Sequence, residues 1–171
     1  MIVVCPLSAV ETVVGTYRPA GLVTLINADM MIDTPAGIDP RRHLKLSIHD
    51  IAAPSEGLVA AGEEDVRKLI DFIDDWDRSG PLAIHCWAGI SRSTAAAYVA
   101  LCRLNARRDE GELAGMLRAA SPHATPNRLI VRLADELLGR EGRMVEAVTA
   151  IGRGADAWEG RVFTLDSVVE D

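Results

Sequence analysis

Leu82-Ala83-Ile84-His85-Cys86-Trp87-Ala88-Gly89-Ile90-Ser91-Arg92-Ser93 is the stretch whose reading decides the fold. An apolar run ends at His85, a cysteine follows, and five residues later come arginine and serine. Thr94 to Arg108 is then alanine-rich and reads as a helix. The order strand, tight loop, helix places Cys86 at the end of a strand. The six backbone N–H groups from Trp87 to Arg92 can then face one bowl at a helix N-terminus. Such a nest binds anions. Its positive field favours a thiolate over a thiol. Gly89 supplies the backbone freedom that a tight loop needs. Arg92 offers a planar fork able to hold two oxygens of one phosphate.

The 171 residues suffice for one domain with a sizeable core. The formal net charge of −7 argues against general binding of nucleic acid or of anionic membranes. Three cysteines, Cys5, Cys86 and Cys102, make no disulfide framework. A reduced, cytoplasmic compartment is expected, and a thiolate nucleophile needs one. No segment reaches the roughly 20 apolar residues of a membrane span. No basic region precedes the strand-like start at Ile2, so neither a signal peptide nor stable membrane insertion is expected.

In chain order, Ile2 to Leu7 reads as a first strand, and Ser8 as the N-cap of a short helix from Ala9 to Thr16. Leu22 to Asn27 reads as a buried strand, and Asn27 to Arg42 as loop with room for one helical turn. His43 to His49 alternates like a third strand. Asp50 to Gly57 reads as a surface loop. Leu58 to Arg78 reads as an amphipathic helix with Trp76 on its apolar stripe. Pro81 to His85 is the strand that feeds the cysteine loop, and Ser93 to about Asn105 the helix that leaves it. Further helices are expected over Glu110–Ala120, Asn127–Leu138 and Met144–Ile151, with Thr125 as cap and Pro126 in the first turn of the second. Residues 1–151 therefore form one domain and 152–171 a C-terminal tail in which only Val162 to Leu165 looks ordered. Strands interleaved with helices imply a single α/β domain with a central, mainly parallel sheet of four to five strands flanked by helices. The loop should lie at the carboxyl end of its strand, where such sheets bind ligands.

His85, Cys86, Gly89, Arg92 and Ser93 together resemble the loop of the cysteine-dependent protein tyrosine phosphatases, and the chain is most similar to their compact, dual-specificity type. The resemblance covers roughly residues 1–140 and leaves the tail without a counterpart. It implies a phosphomonoester hydrolase acting on phosphorylated protein or on a small phosphorylated ligand. Cys86 would attack phosphorus to form a phosphocysteine intermediate. Arg92 and the amides of Trp87, Ala88, Gly89, Ile90, Ser91 and Arg92 would hold the phosphate oxygens. Ser93 would donate to the sulfur as it leaves. His85 would support the loop. Asp50, 36 residues before Cys86 and just after a strand, is the expected proton donor. The family's Trp-Pro before this aspartate is replaced here by His49 as the immediate neighbour, and Asp33 and Asp39 are fallback donors. Arg118 with Pro126-Asn127 resembles a segment of the dual-specificity group, in which Asn127 would brace the loop from behind. No metal or other cofactor is required.

Plainer roles compete at several of these positions. Cys5 and Cys102 read as packed core thiols, and His49 and His123 as solvent-facing or structural. Trp87 lines the pocket rim or packs beneath the loop, and Ile90 lines the rim. A phosphoinositide or inositol-phosphate phosphatase is the alternative enzyme, although such relatives often carry lysines inside the loop and this one has none. A non-catalytic phosphate-binding protein is a further alternative, against which intact Cys86 and Arg92 argue. A thiol reductase would want a resolving cysteine, and the sequence marks none near Cys86.

Overall fold

Strand β4 (Leu82–Cys86) is the axis of the structure, a computed structural model that describes residues 1–168. It runs parallel between β1 (Ile2–Pro6) and β2 (Gly21–Ile26), and β2 pairs in parallel with β3 (His43–Ser47). A short β5 (Phe163–Leu165) lies antiparallel on the outer side of β1. The order is β3-β2-β4-β1-β5, so four of the five strands are parallel, as the interleaved sequence implies. Every residue of β1, β2 and β4 is buried. Strands covered on both faces need largely apolar runs, and these three have them apart from Thr24 in β2 and His85 in β4.

One helix covers one face of the sheet and five cover the other. Helix α1 (Val10–Tyr17) lays Val10, Val13 and Val14 against Val3, Cys5, Leu22 and Ala83. The opposite face carries α2 (Glu63–Asp74), α3 (Arg92–Leu104), α4 (Glu110–Ala120), α5 (Arg128–Leu137) and α6 (Arg143–Ile151). Helix α3 is the central one. Its residues from Arg92 to Cys102 are all buried. Ala95, Ala96 and Ala97 add little bulk, so the helix lies close to the sheet while α2, α4 and α5 surround it.

Three helix starts differ from the sequence expectation, each for a capping reason. Helix α2 begins at Glu63, where the Asp65 carboxylate accepts from the Gly62 N–H at 2.9 Å. Residues 58–61 before it are not helical, and His49 N–H donates to Val59 O while Val59 N–H donates to His49 Nδ1. Ser8 does not cap α1. It sits inside a 3₁₀ turn, Leu7–Ala9, and its hydroxyl donates to Glu159 at 2.7 Å. Thr125 does not cap α5 either. Asn127 does, its Oδ1 accepting from the N–H groups of Leu129 and Ile130, both at 3.1 Å. Residues 152–168, read from sequence as a tail, return across the carboxyl ends of the strands and contribute β5 to the sheet.

A buried ionic cluster ties the outer helices together. The Glu110 carboxylate, 5% exposed, accepts from Arg140 Nη1 at 2.7 Å and Arg143 Nε at 3.2 Å. Arg140 also donates to the carbonyls of Ala106 and Cys102. Removing one member of such a cluster strands the other charge away from water, which costs about 3 kcal/mol or more. An exposed pair such as Arg67–Glu63 contributes less than about 1 kcal/mol. Glu110→Ala should therefore lower the urea-unfolding free energy by about 3 kcal/mol, and Arg67→Ala by less than about 1 kcal/mol. Equal losses in the two variants would contradict this placement of the charge.

Candidate active site

The loop from Trp87 to Ser91 leaves β4 and enters α3, and the carbonyls of Trp87, Ala88, Ile90 and Ser91 accept from groups beyond the loop. Leu7 N–H donates to Trp87 O at 3.1 Å, and Gly160 N–H to Ala88 O at 2.8 Å. Thr125 N–H donates to Ile90 O at 2.9 Å, and Ala95 and Asn127 N–H to Ser91 O at 2.9 and 3.3 Å. The Thr94 hydroxyl reaches the carbonyls of Ile90 and Ser91 as well. In a trans peptide the N–H points opposite to the C=O. With these carbonyls turned outward, the following amides turn toward the Cys86 side. The Gly89 N–H donates to Cys86 Sγ at 3.3 Å. Gly89 has φ +70°, and a Cβ there would lie 2.8 Å from Pro6 N, so both conformation and space demand glycine.

Cys86 is 1% exposed, and its Sγ lies 3.1 Å from Ser93 Oγ. Arg92 is 6% exposed. Its Nη1 donates to Ile48 O at 2.8 Å, and its buried Nε has no partner among the described residues. A buried guanidinium N–H left without an acceptor costs free energy. An anion oxygen in the bowl would supply that acceptor.

Asp50 follows β3 and stands at the same edge of the sheet. Its Oδ1 accepts from Ser91 Oγ at 2.6 Å and from Asn127 Nδ2 at 2.9 Å, and Asn127 Nδ2 also donates to Ile51 O. Asn127 thus caps α5 with its oxygen and holds the Asp50 segment with its nitrogen. Asp50, Cys86, Trp87, Ala88, Ile90, Ser91 and Arg92 line a single cleft of ≈ 350 Å³, which Asn27, Ala157 and Trp158 complete. Asp33 instead lines a separate cleft beside α1. Asp39 is spent on Arg41, whose guanidinium and backbone N–H hold its carboxyl down at about 2. Neither fallback aspartate is brought to Cys86.

Beneath the loop lies a buried polar chain. His85 Nε2 and His43 Nε2 each lie 2.7 Å from Thr24 Oγ1, and His43 Nδ1 lies 2.9 Å from Thr34 Oγ1. His85 Nδ1 faces its neighbour's carbonyl, Cys86 O, at 3.4 Å. Burial pushes both imidazoles down from 6.5 to about 4, helped at His85 by His43 and Arg92 and at His43 by Lys45. Both are neutral at pH 7, and the bonds then fix one direction. A carbonyl can only accept, so His85 Nδ1 donates to Cys86 O. His85 Nε2 therefore accepts from Thr24, Thr24 accepts from His43 Nε2, and His43 Nδ1 accepts from Thr34. The chain pins the backbone at Cys86 to β2 and β3. Cys5 and Cys102 take no part. Burial pushes both thiols up to about 12.

The other expected residues separate cleanly. Trp87 lines the rim and is 38% exposed. Ile90 lines it too. His49 and His123 serve backbone groups, Val59 N–H and Ala155 O. Arg118 Nη2 donates to the carbonyls of Ala124 and Gly152, so it braces the segment that presents Thr125 and Asn127. The sequence reading missed Asn27, Ala157 and Trp158. Asn27 was legible only as the polar residue ending a strand, and Trp158 as one large apolar side chain in a polar tail. Among the described residues no helix is long and apolar enough to cross a membrane, and no three His, Cys, Asp or Glu side chains gather as a metal would need.

The neutral histidines make stability pH-dependent. Below pH 6.5 the unfolded chain takes up protons that buried His85 and His43 refuse until about pH 4, so stability falls as pH falls through that window. For His85 the loss is on the order of 3 kcal/mol. The Asp39 carboxyl responds lower, between 3.8 and about 2. Urea-unfolding midpoints at pH 7, 5.5 and 4.5, chosen to bracket roughly this interval, should drop steadily. A flat profile would show that the imidazoles are not buried as neutral groups.

No family model matches the chain, and no curated protein matches it in sequence. Solved structures do match. DUSP15 superposes with a TM-score of 0.59 at 14% identity, covering 86% of this chain and 88% of that one. The Yvh1 phosphatase domain from Chaetomium thermophilum gives 0.56 at 18% identity, covering 82% of this chain and 91% of that one. A mutant form of Tk-PTP gives 0.55 at 20% identity, covering 80% of this chain and 86% of that one. At such identities the likeness is one of fold. The chain thus shares its α/β fold with these three compact phosphatase structures.

Proposed function

We propose that this protein hydrolyses phosphomonoesters as a cysteine-dependent tyrosine or dual-specificity protein phosphatase. One observation carries the reading. A buried Cys86 Sγ accepts from the Gly89 N–H of its loop, in the same cleft as a buried Arg92 whose Nε has no acceptor among the described residues. Cys86 Sγ attacks phosphorus, a sulfur–phosphorus bond forms, and the ester oxygen departs. Asp50 gives that oxygen its proton. In the second step Asp50 takes a proton from a water, the water oxygen bonds to phosphorus, and the sulfur leaves with Ser93 Oγ donating to it. Arg92 and the amides of residues 87–92 hold the equatorial oxygens through both steps. His85 and Asn127 position the loop and Asp50. No cofactor enters. A reducing, cytoplasmic setting suits the free thiol.

Substrates are phosphorylated proteins or small phosphorylated ligands carrying one phosphate at the cleft. Among the described residues lining it, Arg92 is the one cation. A multiply phosphorylated inositide would place further charges where no second cation meets them, which disfavours that alternative.

Three variants test the roles. Cys86→Ser should abolish turnover of phenyl phosphate while phosphate binding, read by calorimetry, persists. Arg92→Lys should lower kcat by about 10²–10³ because an ammonium cannot reproduce the fork. Asp50→Asn should lose about 10²-fold or more on phenyl phosphate and little on 4-nitrophenyl phosphate, whose leaving group departs without a proton. Asp33→Asn and Asp39→Asn should show no such contrast. Full turnover in Cys86→Ser would overturn the reading, and a leaving-group effect in either of the last two would move the proton donor to the earlier loop.

A further inference from the structure

Trp158 is 83% exposed, yet its backbone is held on both sides. Before it, Gly154 N–H donates to Thr125 Oγ1 at 3.1 Å, Ala155 N–H to Pro122 O at 2.9 Å, and His123 Nδ1 to Ala155 O at 3.1 Å. After it, Glu159 accepts from Ser8, and Gly160 N–H donates to Ala88 O. The approach is close at both ends. A Cβ on Gly154 would lie 2.5 Å from the carbonyl carbon of His123, and one on Gly160 3.1 Å from Gly89 O. The segment is thus fastened over the phosphate loop, and it holds out a large apolar ring that buries little of itself. Packing does not account for that ring.

Its neighbours do. The Trp158 and Trp87 rings meet edge to face, with centroids 5.5 Å apart and planes at 82°. Both line the cleft that holds Cys86, Asp50 and Arg92. A phosphate seated against the amides fills only the floor of ≈ 350 Å³, so the space above belongs to the leaving group. Two indoles at right angles give that space a corner with one face and one edge. A flat aromatic ring gains offset or edge-to-face contact there that an alkyl chain cannot match.

We propose that Trp158 is a specificity-determining residue that, with Trp87, forms an aromatic wall selecting aryl phosphates, phosphotyrosine above all, over alkyl phosphates. This rests on the phosphatase reading and names its substrate class. The selection comes from a residue far from the loop in sequence, delivered by the C-terminal segment. Because the ring is exposed, Trp158→Ala should fold normally.

The test compares wild type, Trp158→Ala and Trp158→Phe on a phosphotyrosine peptide and the matched phosphoserine peptide, with inorganic phosphate as competitive inhibitor. Comparing each variant with wild type on the same substrate cancels the intrinsic difference between leaving groups. In Trp158→Ala, kcat/KM for phosphotyrosine should fall about tenfold, mostly through KM, with a much smaller change for phosphoserine. The inhibition constant of inorganic phosphate, which reports the bowl alone, should move less than about twofold. Trp158→Phe should recover most of the loss. If phosphate inhibits both proteins alike and the alanine variant keeps the wild-type preference, or loses both substrates equally, the wall assignment is wrong. If wild type neither binds phosphate nor turns over either peptide, the phosphatase reading fails first and this inference with it.

Discussion

Everything at the site depends on one loop having its carbonyls satisfied from elsewhere. A tight turn of peptide groups offers donors on one side only if its acceptors find partners on the other. Here those partners come from the end of β1, the start of α3, the approach to α5 and the C-terminal segment. The positive bowl around Cys86 is therefore a property of the surrounding fold, and the loop sequence alone does not create it. Each outer donor lost would leave a carbonyl free to turn inward, where it would oppose the negative charge of a bound anion.

Beneath that loop the structure places polar groups where an apolar core would be cheaper. Thr24, His43 and His85 are all buried, and each imidazole nitrogen has a partner. A fully paired network avoids the cost of unsatisfied burial and constrains geometry at the same time. Its direction ends on the carbonyl of Cys86, the residue whose placement matters most. Above the loop, Arg92 reaches back to Ile48 O, while Ser91 and Asn127 hold Asp50. The candidate nucleophile, anion fork and proton donor are thus cross-braced by bonds between elements that meet only in three dimensions.

The strand-loop-helix order around Cys86 was readable because it is local. An apolar run, a glycine at positive φ and an alanine-rich helix are all written within one stretch. The parallel sheet followed from interleaved periodicities. Helix starts were read less well, since Ser8 and Thr125 are good cap residues by type and the backbone angles chose others. The pairing of Thr24 with two histidines spans three strands and leaves no sequence pattern. Trp158 was invisible for the same reason. Its place depends on Gly154 and Gly160 passing close to residues some 30 and 70 positions earlier, and nothing periodic announces that. Asp50 was reachable through its position after a strand, whereas its partners Ser91 and Asn127 were not.

The bond from Gly160 to Ala88 sets an order of assembly. During synthesis β1, β2, β3, β4 and the cysteine loop all emerge before the segment that completes them. Until residue 160 arrives, Ala88 O lacks its donor, β1 has an open edge where β5 will pair, and the cleft lacks one wall. A nascent chain thus carries Cys86 in an unfinished cleft. The cleft is therefore closed by a segment that lies far downstream of the loop it completes, and the loop's own stretch of chain cannot form it alone.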